Sequence, residues 1–222
     1  MRSTSNNGRA YLLRRPRTWL LSSAVLFAAC AAAVRADAPD AAAASAAQRL
    51  AITVCGTCHG PTGNSTQPKF PRLAGQHASY LSAQLKAFRS QTRGDPDAIG
   101  YMWGMASEMD DAAIDALAAY YAAQAAAASS GGADAGVIAH GRDIYEHGIP
   151  AEGVPACSSC HGPDAHGLQD FPRLAGQHAQ YIMKQLASFQ SNMRNVAIMH
   201  GVAQNLRVPE MQAVAAYLQA QP

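Results

Sequence analysis

The chain has 222 residues, enough for one or two domains, and its abundant alanine, sparse Val/Ile/Thr runs and 7% aromatic content favour helix over sheet. Its formal charge of +2 belongs to the first 38 residues, which hold six of the 17 Lys and Arg but one of the 15 Asp and Glu. The remainder carries 11 basic and 14 acidic side chains, a net of −3, so a basic nucleic-acid-binding surface is excluded.

Arg14, Arg15 and Arg17 precede an apolar, alanine-rich stretch over 19–33, and Ala36-Asp37-Ala38 has the small-x-small pattern of a signal cleavage site. Residues 1–38 therefore read as a secretory signal, and the mature protein is expected in the periplasm. The apolar run is short for a bilayer span. Cys30 follows a poor lipobox, Phe27-Ala-Ala, and is expected to leave with the signal.

An alanine-rich helix over 41–54 leads into Cys55-Gly-Thr-Cys58-His59-Gly60. The pattern C-x-x-C-H is the attachment sequence of a c-type haem: two thiols add to the vinyl groups and the histidine lies under the iron. Residues 60–68 are turn-rich, and over 77–91 Tyr80, Leu81, Leu85 and Phe88 fall on one helical face. A loop is expected over 93–100. Asp110 or Asp111 then caps a helix with Ile114, Leu117, Ala118 and Tyr121 on its buried stripe.

Residues 122–136 pass from alanine to Ser and Gly, as a linker does. The plan then repeats. A helix over 141–146 and an extra loop over 148–155 precede Cys157-Ser-Ser-Cys160-His161-Gly162. Over 178–190 Tyr181, Ile182, Leu186 and Phe189 share a face, and Pro209 opens the final helix through Val214, Tyr217 and Leu218. The expected divisions are 1–38 signal, 39–124 first domain, 125–136 linker and 137–222 second domain.

The cysteine pairs lie 102 residues apart, each with its own histidine. A structural zinc site usually keeps its ligand pairs closer, and a thioredoxin-like pair sits in a βαβ context that is missing here. Two motifs in register within a longer repeat point to two covalently bound haem c groups. The four motif cysteines are then all used, and no disulfide is expected.

A six-coordinate electron-transfer haem needs a second strong ligand. The repeat keeps an offset of 101 from Phe70/Phe171 to Arg93/Arg194, and the offset then falls by four because Asp95-Pro-Asp-Ala98 has no counterpart. On that register Met102 matches Met199, whereas Met105 falls opposite Val202 and Met109 opposite Leu206. Met102 and Met199 are the expected second ligands, in the loop before the last helix, with Met105 a lesser rival for the first.

Phe70-Pro-Arg-Leu-Ala-Gly-Gln-His77 is repeated as Phe171-Pro-Arg-Leu-Ala-Gly-Gln-His178. Pro71 and Pro172 are candidates to offer a backbone carbonyl to the proximal histidine's free N–H. Arg72 and Arg173 are candidates to neutralise haem propionates or to be solvated charges. Gly75-Gln76 and Gly176-Gln177 are expected to serve a turn, and His77 and His178 to cap a helix or lie at the surface. His166 and His200 have no matching partner and are given no role.

These paired motifs, with the final helices over 117–121 and 214–218, resemble the dihaem cytochrome c4 family, a tandem class I cytochrome c. The resemblance covers nearly all of the mature chain. It implies an all-α fold of two tandem class I cytochrome c domains, each a small helical bundle around one covalent haem. The two haems are expected to face each other across a pseudo-twofold interface. It implies His59/Met102 and His161/Met199 as axial pairs and Cys55, Cys58, Cys157 and Cys160 as thioether anchors. It also implies a periplasmic electron carrier, not an enzyme. The expected partners are redox proteins, such as a haem–copper terminal oxidase and an upstream quinol-oxidising complex or dehydrogenase, with association at the periplasmic membrane face. The alternatives are a haem subunit of a larger dehydrogenase or oxidase, and a dihaem peroxidase, which needs one iron with an open position.

Overall fold

A computed structural model describes residues 41–128 and 132–222. The expected signal over 1–38, with Cys30, and the middle of the linker at 129–131 lie outside the described residues. Among the described residues the chain is helical and has no strand; one isolated antiparallel bridge joins Ile149 and Val154. No described helix is long and apolar enough to cross a membrane.

In the first half α1 (Ala41–Leu50) passes through a π turn (Ala51–Cys55) directly into α2 (Gly56–His59). Alanine supplies the helical propensity, and its small side chain lets α1 lie close to its neighbour. Ala47 and Ala51 pack against Leu117 and Tyr121 of α5 (Asp111–Ala122). The Asp110 carboxylate caps α5, accepting from the Ala113 N–H at 2.8 Å. Between them come α3 (Ala78–Arg89) and, after a second π turn (Ala98–Met102), α4 (Trp103–Ala106).

The loop expected over 93–100 is therefore shorter. Helix begins at Pro96, where a missing N–H costs nothing, and the Ile99 N–H already donates to the Asp95 carbonyl at 3.0 Å. Met102 consequently stands on a helical turn, not in a loop. Each π turn ends on a residue of chemical interest, Cys55 and Met102, as π turns often do.

The second half repeats the arrangement with α6 (Ala135–His147), α7 (Ser158–His161), α8 (Ala179–Gln190), α9 (Ala197–Ala203) and α10 (Val208–Ala220). The helix α6 is longer than the expected 141–146 because the Asp134 carboxylate caps it, accepting from the Gly136 N–H at 2.8 Å. The loop expected over 148–155 is present, with a 3-10 turn at Pro150–Glu152. Met199 lies in α9, so it too is helical. Pro209 stands in the first turn of α10, and Glu210 reaches back to the Arg207 N–H at 2.7 Å. At the crossing of α6 and α10 only glycine fits, since a Cβ on Gly141 would stand 2.0 Å from the Ala213 carbonyl oxygen.

The halves, both within residues 37–222, meet along a seam of reciprocal contacts. Gln177 Oε1 accepts from the Arg72 N–H at 2.9 Å, and its Nε2 donates to the Arg72 carbonyl at 2.9 Å. Gln76 does the same to Arg173, at 2.8 and 2.9 Å. The His178 ring donates to the Ser65 carbonyl and the His77 ring to the Gln169 carbonyl, both at 2.9 Å. These residues therefore hold the halves together and do not act as turn, cap and surface residues alone. His178, Gln76 and Gln177 are buried. The four bonds of the glutamine clasp, each worth about 0.5–1.5 kcal/mol net, all stabilise the docked arrangement.

A second layer of the seam is charged. Arg93 and Arg194 are both buried and stack over Phe88 and Phe189, at 4.7 and 4.6 Å from the ring centroids. Arg93 donates to Gln84, Gln185 and Tyr181, while Arg194 donates to Gln185, Gln84 and Tyr80. Asp95 faces this pair, accepting from Arg93 Nε at 2.7 Å and from Gln185 Nε2 at 3.3 Å. Asp97 pairs with Lys184 at 2.5 Å. Both aspartates come from the four residues that the second half lacks.

Candidate haem sites

Cys55 precedes α2 and Cys58 lies within it; Cys157 and Cys160 stand likewise on α7. A spacing of three places both sulfurs of a pair on one helical face. All four are free thiols. Burial raises the Cys55 thiol above its ordinary range and pushes Cys157 up to about 11, opposite to the depressed thiol of a dithiol redox pair. Among the described residues no three His, Cys, Asp or Glu gather closely enough to hold a metal ion, which leaves the zinc alternative without a ligand set.

The glycine after each motif is sterically required. Gly60 and Gly162 have φ of 78° and 79°, and a Cβ on Gly60 would stand 2.8 Å from the Asn64 carbonyl oxygen. The chain turns there and returns so that Pro71 and Pro172 face the histidines. His59 Nδ1–H donates to the Pro71 carbonyl at 2.9 Å, and His161 Nδ1–H to the Pro172 carbonyl at 3.0 Å. Both rings are buried. Burial lowers their affinity for a second proton, and the carbonyl contact offsets this only in part. Each ring is thus held neutral, with Nδ1 carrying the proton and the Nε2 lone pair left for a metal.

Phe70 and Phe171 complete the setting with edge contacts to the histidine rings, centroids 6.1 and 6.0 Å apart. Their repetition in the sequence was a signal, but aromatic packing on a histidine leaves no periodic trace. Met102 is half-buried against Phe88, Ala98 and Ala106, and Met199 is half-buried against the second-half core. Met105, one turn beyond Met102, is 49% exposed.

The two arginines next to the prolines differ. Arg72 Nη1 donates across the seam to the Gly176 carbonyl at 2.6 Å. Arg173 Nη2 donates to the Pro222 carbonyl at 2.7 Å, and its buried Nε has no hydrogen-bond partner among the described residues. A buried guanidinium N–H beside a C-x-x-C-H motif fits the carboxylate of a haem propionate. His166 and His200 are spent on backbone carbonyls of Pro222 and Phe189. The residues present therefore suit two covalent haems: paired thiols on a turn, a neutral tautomer-fixed imidazole and a half-buried thioether in each half.

A family model described as Cytochrome c matches the chain twice, over residues 44–123 and 138–222. Cytochrome c-552 of Acidithiobacillus ferridurans is 43% identical over 203 residues, 91% of this chain and 86% of the relative. The solved structure of Acidithiobacillus ferrooxidans cytochrome c4 is 44% identical, covers 75% of this chain and 98% of its own, and superposes with a TM-score of 0.71. A thiosulfate dehydrogenase electron acceptor of Thiomonas intermedia is 36% identical, over 76% of this chain and 78% of the relative. With a C-x-x-C-H site in each of two helical halves, the chain belongs to the cytochrome c family as a dihaem electron-transfer cytochrome of the c4 type, with two covalent haem c groups.

Proposed function

We propose that the protein is an exported, periplasmic carrier that relays electrons between respiratory redox proteins and has no substrate chemistry of its own. Cys55, Cys58, Cys157 and Cys160 would anchor the two haems, and His59, Met102, His161 and Met199 would supply the ligands to their irons. When bound, each haem iron supplies the Fe(III)/Fe(II) couple. The chain's residues keep that couple reversible: the proline carbonyls fix the imidazoles, the methionines raise the potential, and the apolar cores limit water. The observation that carries this reading is a half-buried methionine at the matched position of both halves, Met102 and Met199, beside the same carbonyl-anchored histidine. A peroxidase needs one half built differently.

A second assignment of partner is favoured by one observation, the likeness to a thiosulfate dehydrogenase electron acceptor. The chain then takes electrons from a periplasmic dehydrogenase and passes them towards a terminal oxidase, with the same haem chemistry. The far-red spectrum of the oxidised protein tests the ligand set. A methionine–Fe(III) charge-transfer band accounting for two haems per chain supports it, and a band for one haem moves the enzyme reading forward. Export is tested by intact mass: a mature N-terminus near Pro39 in a periplasmic extract supports it, and a chain retaining residues 19–33 favours membrane anchoring instead.

A further inference from the structure

The peptide unit between Pro71 and Arg72 makes two hydrogen bonds that point in opposite directions. Its carbonyl oxygen accepts from His59 Nδ1–H at 2.9 Å, and its N–H donates to Gln177 Oε1, in the other half, at 2.9 Å. The unit between Pro172 and Arg173 is its counterpart, bonded to His161 at 3.0 Å and to Gln76 Oε1 at 2.8 Å. In each case a single conjugated amide lies between the proximal histidine of one half and the glutamine of the other. Gln177 Oε1 also accepts from the His178 N–H at 3.0 Å, and Gln76 Oε1 from the His77 N–H at 3.1 Å. Both glutamine oxygens thus face donors and both Nε2 groups face carbonyls, so the amide orientation is settled by the contacts themselves. Both side chains are buried, where such chains of bonds polarise one another most.

We infer that each half sets the reduction potential of the other half's haem through this shared amide, Gln177 acting on the first haem and Gln76 on the second. The inference rests on His59 and His161 being the proximal ligands. An acceptor on the amide N–H shifts electron density towards the amide oxygen, and the oxygen then draws more strongly on the histidine N–H. The ring becomes a better donor to the iron, which favours Fe(III) and lowers the potential. Gln76 and Gln177 are positioning residues, since neither touches a haem ligand directly. Docking of the halves and the potentials of the haems are then one property, not two.

The test is a pair of substitutions at one position in the holoprotein. Gln177→Leu removes both the acceptor and the Nε2 donor; an ionised Gln177→Glu exchanges the donor for a second, charged acceptor oxygen and keeps an oxygen for the Arg72 N–H. The two variants lose the same bond to the Arg72 carbonyl, so loosening of the seam affects both. Redox titration of Gln177→Leu is expected to raise one of the two midpoints by about threefold in the redox equilibrium, ~28 mV at 59 mV per tenfold for one electron. Gln177→Glu does not raise it, and Gln76→Leu raises the other midpoint. Loosening alone admits water, which stabilises the more charged ferric state and moves the midpoint down. Midpoints that fall in both Gln177 variants, or that stay put in Gln177→Leu while its methionine–Fe(III) band is intact, overturn the inference and leave the ligands standing. Failure of the ligand assignment appears separately, as a His59→Ala protein whose first haem keeps its low-spin spectrum.

Discussion

Met102→Ala lowers the potential of one haem and lets that iron bind carbon monoxide, while the other haem keeps its potential and stays closed. Met199→Ala has the mirror effect. A thioether opposite histidine stabilises Fe(II), and losing it should move the midpoint by on the order of 0.1 V, within the ~0.8 V that axial ligands span. The effect stays local because Met102 packs in a small cluster around Phe88, whereas Met199 packs against the second-half core. Redox titration with a carbon monoxide difference spectrum reads both quantities in one sample. Met105→Leu supplies the control: its side chain is half-exposed, and its loss leaves both haems unchanged. Should Met105→Leu open the first haem and Met102→Ala leave it closed, the ligand is Met105.

Asp95→Ala should lower stability by about 3–5 kcal/mol, because it leaves the buried Arg93 guanidinium without its paired carboxylate. Arg93 and Arg194 share the acceptors Gln84 and Gln185, which are neutral, so no other carboxylate among their hydrogen-bond partners compensates. The loss falls on the contact between the halves, and urea unfolding should change from one transition to two. A single transition at the wild-type midpoint would show that the carboxylate contributes nothing to docking.

Acid should produce part of the same effect in the wild type. Burial works to raise the Asp95 carboxyl, but the Arg93 charge and hydrogen bond, with Gln185 and Arg194, hold it below the usual carboxylate range. Its folded pKa is depressed, so its contribution is complete above the unfolded carboxylate value and is lost as pH falls through and below that value. The acid sensitivity in that window should be smaller in Asp95→Ala, which has no such group to protonate.

Much of the fold was legible because its signals are local. Alanine content, the spacing of Tyr80, Leu81, Leu85 and Phe88, and an aspartate at a helix start act within a few turns of chain. The haem motifs were legible for the same reason, since the thiols and histidine must share one helical turn. The proline carbonyls could be anticipated from chemistry, because a metal-bound imidazole needs an acceptor at its other nitrogen. The glutamines and histidines of the repeated segment could not be placed this way: Gln76 bonds Arg173 and Gln177 bonds Arg72, about a hundred residues away. A residue repeated in two copies reads as doing the same local task twice, when here it reaches across the pair. The offset change at residues 95–98 was visible as an insertion, but its meaning depended on two arginines whose burial only the docked halves create.

That insertion also breaks a symmetry. In an assembly of two identical separate chains, every side chain at the symmetry axis occurs twice, so charges there come in even numbers. One carboxylate, paired with Arg93 and not with its counterpart Arg194, is an odd arrangement that no such pair can adopt. It requires the two halves to differ, as copies joined in one chain are free to do, and residues 95–98 are a place where these halves differ.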